Sequence, residues 1–209
     1  MLRTNVYIDG FNLYYGCLKD TPYRWLDLSK FAAFLLPKSH TVQHIKYYTA
    51  RVLPLPHDLQ ARTKQDFYLR ALGTIPNLSV TFGHFLSNPK MMPLLKPPAT
   101  GPKLALVMRT DEKGSDVNLA SHLLLDAFRK NCDVAFVISN DSDLLEPVRI
   151  ARREFGLKVG LASPFKTTAR VLADEVDFER RIWKRTLERS QFPDILADKV
   201  GSFHKPAGW

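Results

Sequence analysis

The run Val134–Ile138, together with the residues that follow it, constrains the fold of this chain most. Valine, alanine, phenylalanine, valine and isoleucine in succession make an apolar, β-favouring segment with no polar alternation. That is the pattern of a strand covered on both faces, as in a parallel sheet packed between helices. Ser139, Asn140, Asp141, Ser142 and Asp143 end it abruptly, and Leu144, Val148, Ala151 and Phe155 then recur at helical spacing. Pro147 places the helix start just before itself, because a proline deeper in a helix would lack an N–H where one is needed. Asp141 and Asp143 are therefore expected in a strand-to-helix turn, outside regular helix. Such turns at the carboxyl ends of strands are where open α/β sheets bind ligands.

The pattern has a precedent at the start of the chain. Residues 5–9 form a short apolar run ending in Asp9, and a small-residue turn over 10–16 leads toward a helix, with Asn12 placed to cap it. Taken alone, Asp9 reads as a turn acid and Asn12 as a cap. A third acid follows Gly114 and Ser115. If Ser115 is the N-cap, Asp116 falls in the first turn of a helix running to about 129, with Val117, Ala120, Leu124 and Phe128 as its buried face. The helix dipole favours an aspartate there whatever its task.

Between these points the chain reads as scaffold. Residues 25–36 are spaced as a helix stopped by Pro37. Residues 41–53 read as a strand closing at Pro54 and Pro56. Residues 58–72 read as a helix with Leu59, Phe67 and Leu72 among its apolar positions, and 78–86 as another strand. Five prolines over 87–103 are expected to defeat regular structure, leaving a long loop whose Met91, Met92, Leu94 and Leu95 would have to dock on the body or on another chain. A strand or arm over 103–109 leads into the turn before Asp116. A last buried strand over 157–161 is followed by a polar turn in which Lys166, Thr167 and Thr168 could meet phosphate or simply cap the next helix. Residues 178–189 are basic with interleaved apolar positions, the pattern of a surface helix, and the tail 191–209 is expected to order only against a partner.

The chain of 209 residues suits one domain, 1–177, with a basic helix and tail over 178–209 packed on or extending from it. Two cysteines, Cys17 and Cys132, with no C-x-x-C spacing argue against a thiolate metal site and suit a reducing cytoplasm. No apolar run is long enough to span a bilayer. The net charge of +9 favours polyanionic partners.

If the sheet brings Asp9, Asp116, Asp141 and Asp143 together, their mutual repulsion of about 4 kcal/mol per close pair must be relieved. Protonation would do so, but an all-oxygen site of that charge is what Mg²⁺ or Mn²⁺ prefers, shared with phosphate oxygens. An acidic pocket on a basic body is a layout suited to a nuclease: the body attracts the phosphate backbone and the pocket holds the ion.

At these residues the sequence resembles a known family. Residues 7–13 (YIDGFNL), 113–120 (KGSDVNLA) and 138–145 (ISNDSDLL) are similar to the three signature blocks of NYN-domain proteins, a LabA-like branch of the PIN-like ribonuclease superfamily. Asn140 departs from the family pattern, in which many members have glycine. The resemblance implies a PIN-like three-layer α/β sandwich, a central, mainly parallel sheet flanked by helices, and metal-dependent cleavage of RNA that leaves 5′-phosphate and 3′-hydroxyl ends. Carried over by position, Asp9, Asp116, Asp141 and Asp143 would hold one or two Mg²⁺ or Mn²⁺ ions. Asn12 and Ser139 would orient ligands or the scissile phosphate; apart from the resemblance, the charge of Lys113 and Lys166 makes them the expected contacts to RNA phosphate. RNA is the expected partner, with no membrane, and homo-oligomers are compatible with the sequence. Two alternatives stand beside this expectation. One is a non-catalytic RNA-binding or scaffolding protein on the same fold. The other is a phosphatase or phosphotransferase, which the lack of an acid at Phe11 disfavours.

Overall fold

The computed structural model describes residues 1–54 and 58–209; Pro56, expected to help close the second strand, lies outside them. Seven strands form one sheet: β1 (Leu2–Asp9), β2 (His40–Ala50), β3 (Leu78–Pro93), β4 (Leu104–Lys113), β5 (Val134–Ile138), β6 (Lys158–Ala162) and β7 (Phe178–Glu179). Their order is β4-β3-β2-β1-β5-β6-β7. Every pairing is parallel except that of β3 with β4. The chain thus builds outward from β1 in one direction through β2 and β3, then returns to β1's other edge with β5 and continues through β6. The reversal of strand order falls between β1 and β5, where a crevice opens at the carboxyl ends.

Alternation within the strands creates two cores. On one face Val6, Ile8, Phe136 and Ile138 pack with Trp25, with Phe31 of α2 (Leu28–Leu35) and with Leu72 of α3 (Ala61–Leu72). On the other, Tyr7, Ala135 and Val137 pack with Leu119 and Leu123 of α4 (Ser115–Arg129) and Val148 of α5 (Leu145–Arg153). All five residues of β5 are buried, as the unbroken apolar run requires. Each of its larger side chains, all but Ala135, contributes about 1.5–3 kcal/mol relative to exposure. The result is a mainly parallel sheet between two helical layers, the expected PIN-like α/β architecture. Among the described residues, no helix is long and apolar enough to cross a membrane.

Several local expectations need correction. Residues 87–103 are not one loop: β3 runs on to Pro93 and pairs antiparallel with β4 from His84↔Lys113 to Pro93↔Leu104. Its pairing with β2 ends at Gly83, so beyond that point it belongs to a two-stranded arm with outward-facing edges, where proline's missing N–H is tolerated. Met91 and Leu95 do not dock on the body but stand 53% and 96% exposed.

Helix α4 is rotated from its expected face. Leu119, Leu123, Asp126 and Ala127 are buried, whereas Val117 and Phe128 are exposed. Asp126 can lie inward because Lys46 Nζ (2.5 Å), the Tyr7 hydroxyl (2.5 Å), Asn5 (3.1 Å) and Asn131 (3.0 Å) all donate to it. Helix α3 begins at Ala61, leaving Leu59 before it and exposed.

The basic segment begins as a strand, β7, and turns helical only at α7 (Lys184–Arg189). Phe178 lies parallel to Phe136 at 6.0 Å, which ties the segment to the core. The tail folds on its own chain as a hairpin of β8 (Ile195–Asp198) and β9 (Gly201–His204). Arg70 holds Asp198 at 2.7 Å, and Trp209 packs against Trp25 and Tyr68.

Candidate active site

Asp9 ends β1 at the reversal of strand order and is 3% exposed. Its two carboxylate oxygens have separate duties. Oδ1 accepts the Asn12 N–H at 3.0 Å and so caps α1 (Gly10–Leu13), while Oδ2 accepts the Ser139 hydroxyl at 2.9 Å. The cap is therefore Asp9 and not Asn12. The Asn12 side chain instead reaches across the crevice, where its Oδ1 accepts the Asn140 N–H at 3.0 Å. Ser139, at the end of β5 and wholly buried, also accepts the Asp141 N–H at 3.1 Å through its hydroxyl. Asn140 is fixed in turn, since its Oδ1 accepts the Ala169 N–H at 2.7 Å. The first and third sequence blocks are thus one hydrogen-bonded unit across β1 and β5.

Asp141 caps a 3₁₀ turn, Ser142–Leu144, by accepting the Asp143 N–H at 2.9 Å. Asp143 sits in this turn between β5 and α5, the strand-to-helix position expected for it, and is exposed. From the opposite side come β4 and α4. Gly114, at φ +98°, holds the N-cap position assigned to Ser115 from the sequence, and Ser115 is already helical. Glu112 satisfies that helix start: its Oε1 accepts the Ser115 N–H at 3.1 Å and its Oε2 accepts the Ser115 hydroxyl at 2.7 Å. The acid lies directly over Gly83, where any Cβ would stand 2.1 Å from Glu112 Oε1.

Asp9, Asn12, Asp116 and Asp141 line one cavity of about 310 Å³, joined by Glu112, Ser115, Phe11, Tyr15 and Phe85. None of these lining residues is basic. Burial, and then the charges of Asp9, Asp141, Glu112 and Asp143, push the Asp116 carboxyl from an ordinary 3.8 up to about 6. Burial also raises Asp9, against the opposing effect of its hydrogen bonds from Asn12 and Ser139. Asp116 has no hydrogen-bond or ion-pair partner among the described residues.

The other expected residues lie elsewhere. Asp143 is outside the cavity and acts on Asp116 through its charge. Lys113 is exposed on β4 beside His84, and Lys166 lines a separate, larger cavity. Ser139 is too deeply buried to touch RNA; its hydroxyl positions Asp9 and Asp141 instead. Glu112 was missed because residues 110–116 read as a turn. Strand alternation from Leu104 onward was the available signal, since it puts Glu112 and Phe85 on the same face as a facing pair.

All the acidic donors are hard oxygens, the kind Mg²⁺ and Mn²⁺ accept. Among the described residues, however, no three His, Cys, Asp or Glu side chains are gathered closely enough to hold an ion as they stand. The set fits a hard cation in chemistry and charge, and among the described acids lining the cavity Asp116 is the member free of side-chain hydrogen bonds.

Comparison with known proteins bears on both fold and family. The chain is 28% identical, over its whole length and 75% of the relative's, to 6-hydroxy-3-succinoylpyridine 3-monooxygenase of Pseudomonas putida. It superposes with a TM-score of 0.57 on the crystal structure of a protein of unknown function from Vibrio parahaemolyticus, at 19% identity, covering 88% of this chain and 94% of that one. This second likeness bears on the fold. The family model of the NYN domain matches residues 3–181, most of the chain, and the protein therefore belongs to the NYN domain family.

Proposed function

We propose that the protein is a metal-dependent ribonuclease that hydrolyses RNA phosphodiester bonds. One observation carries the proposal: carboxylates from three separate sequence blocks share a cavity with no cation among its described lining residues, and burial together with their repulsion raises Asp116. Membership of a family with a nuclease-like fold supports the assignment, as does the net charge of +9, which attracts a polyanion toward an acidic centre.

Asp9, Asp116 and Asp141 would hold Mg²⁺ or Mn²⁺, with Asp143 adding charge from its exposed turn. When bound, the ion supplies Lewis-acid polarisation of the phosphodiester and of the attacking water. The chain's own part is positional. Ser139 and Asn12 lock Asp9, Asn140 and Asp141 into fixed relation, so that little reorganisation remains when substrate arrives. Glu112 anchors the first turn of α4 and thereby fixes the height of Asp116 in the cavity.

The relative in Pseudomonas gives a second reading, a monooxygenase acting on a pyridine substrate. The cavity favours the first. A succinoyl-pyridine carries a carboxylate of its own, and the cavity lining offers four acids and no base to receive it.

The test is incubation of labelled single-stranded and structured RNA with the purified protein and with Asp141→Asn, in Mg²⁺, Mn²⁺ or chelator. Cleavage that needs the metal and is lost in the variant, while RNA binding persists, supports the enzyme. Binding without cleavage supports the non-catalytic alternative. Oxygen uptake with 6-hydroxy-3-succinoylpyridine and an added two-electron donor such as a reduced nicotinamide, which reduces the second oxygen atom to water, would favour the second reading.

A further inference from the structure

We propose that the cavity behind Tyr15 is a subsite for single-stranded RNA, receiving the phosphates and bases that flank the bond held in the acidic pocket. The proposal deepens the ribonuclease reading by defining how the polymer is held and which form of it is accepted. Two cavities share one wall, the π-helical turn Tyr14–Leu18. Tyr15 lines the acidic cavity, whereas Gly16 and Cys17 line the second, of about 540 Å³. The wall is held close to the loop after β6: a Cβ on Gly16 would stand 2.6 Å from Pro164 Cβ, so only glycine allows that approach.

The second cavity has the opposite charge character. Lys166, Arg181 and Lys184 face it with one acid, Asp20, and the aromatic rings of Tyr23 and Phe165 stand among them. Among the described residues, neither Lys166 nor Arg181 has an ion-pair partner, and Lys184 has only a loose ion pair with Glu188 at 3.7 Å. Cations interleaved with aromatic rings suit a nucleic-acid strand, in which charged phosphates alternate with flat bases. An acidic peptide would use the cations but not the rings. Tyr15, at the shared wall, is 57% exposed, and Lys19 Nζ lies 5.4 Å from its ring centroid. A base stacked on that ring would bridge the two cavities. Stacking needs a splayed, unpaired base, so a duplex is excluded.

The experiment measures fluorescence anisotropy of an end-labelled single-stranded RNA decamer on full-length protein carrying Asp141→Asn, in chelator, at several salt concentrations. Lys166→Ala/Arg181→Ala should weaken binding at least tenfold and reduce the salt slope by about 1.4, roughly 0.7 for each phosphate of a single strand that is no longer neutralised. Tyr15→Ala should weaken it about five- to a hundredfold while leaving the salt slope unchanged. Arg181→Glu, a charge reversal at an exposed site, should weaken it further than Arg181→Ala.

Unchanged affinity and slope in the double cation variant would overturn the proposal. So would competition by the matching duplex, or by polyglutamate, as effective as that by the single strand. The two readings fail separately. A wild-type protein that cleaves RNA but whose binding ignores these variants removes the subsite alone. One that binds as described yet cleaves nothing removes the nuclease alone.

Discussion

Asp116→Asn should make the protein more stable and less active, and the gain should depend on pH in a defined direction. In the folded chain the carboxyl is raised from 3.8 to about 6, so between those values the native state holds more proton than the unfolded one. Stability therefore falls as pH rises through that window, and the full penalty is present at pH 7. Two pH units correspond to about 3 kcal/mol. The group is partly open to solvent, which screens the interaction, so about half of that, about 1.5 kcal/mol, is the expected gain. For a chain of this length it corresponds to a rise of about 3–6 °C in melting temperature. Thermal melts in chelator at pH 4 and pH 7 provide the assay: the variant should exceed the wild type at pH 7 and match it at pH 4. Mg²⁺ should raise the wild type more than the variant, closing the gap. Equal gains at both pH values would refute the charge explanation, because neutral asparagine would then be improving packing instead.

Three further outcomes follow from other parts of the structure. Lys46→Met removes the countercharge from Asp126, whose carboxyl is raised by burial but held below its ordinary range overall by bonds from Lys46, Tyr7 and Asn131. It should cost about 3 kcal/mol at pH 7 in urea unfolding, and less at pH 3, where protonated Asp126 no longer needs the charge. Ser139→Ala deletes the link between Asp9 and the Asp141 amide and should lower RNA cleavage about 10–100-fold with little change in KM; a change in KM alone would assign Ser139 to substrate contact. Brief trypsin treatment should cut the β3–β4 arm first, after Lys90, Lys103 or Arg109, because a two-stranded ribbon has little stability of its own. Initial cleavage within the body, as mapped by mass spectrometry, would contradict the arm's independence.

The sequence carried the centre of this protein more clearly than its margins. Val134–Ile138 and Asp9 were legible because burial on two faces leaves no polar alternation and the acids follow at once. Asp116 was legible as a first-turn residue. Helix α4's inward face was not, because two apolar stripes compete on it and Asp126 is acceptable inside through donors such as Lys46 and Tyr7, 80 and 119 residues away in sequence. The prolines of the arm misled for a related reason. Their cost depends on whether a neighbouring strand needs their N–H, and the absence of that neighbour is a fact of topology. Glu112 stayed hidden while its strand was read as a turn. The tail's order likewise depends on Trp25 and Tyr68, more than a hundred residues upstream.

The cavity draws its walls from regions of very different mechanical character. Asp9 and Asp141 hang from β1 and β5, strands hydrogen-bonded on both sides in the middle of the sheet, whose amides should be among the last to exchange. Glu112 and Phe85 stand at the root of the projecting ribbon, where β3 has parted from β2. One side of the acidic hollow is an anvil and the other a spring. If the proposed RNA needs more room, the expected give is in the ribbon, while the aspartates on the central strands keep their register.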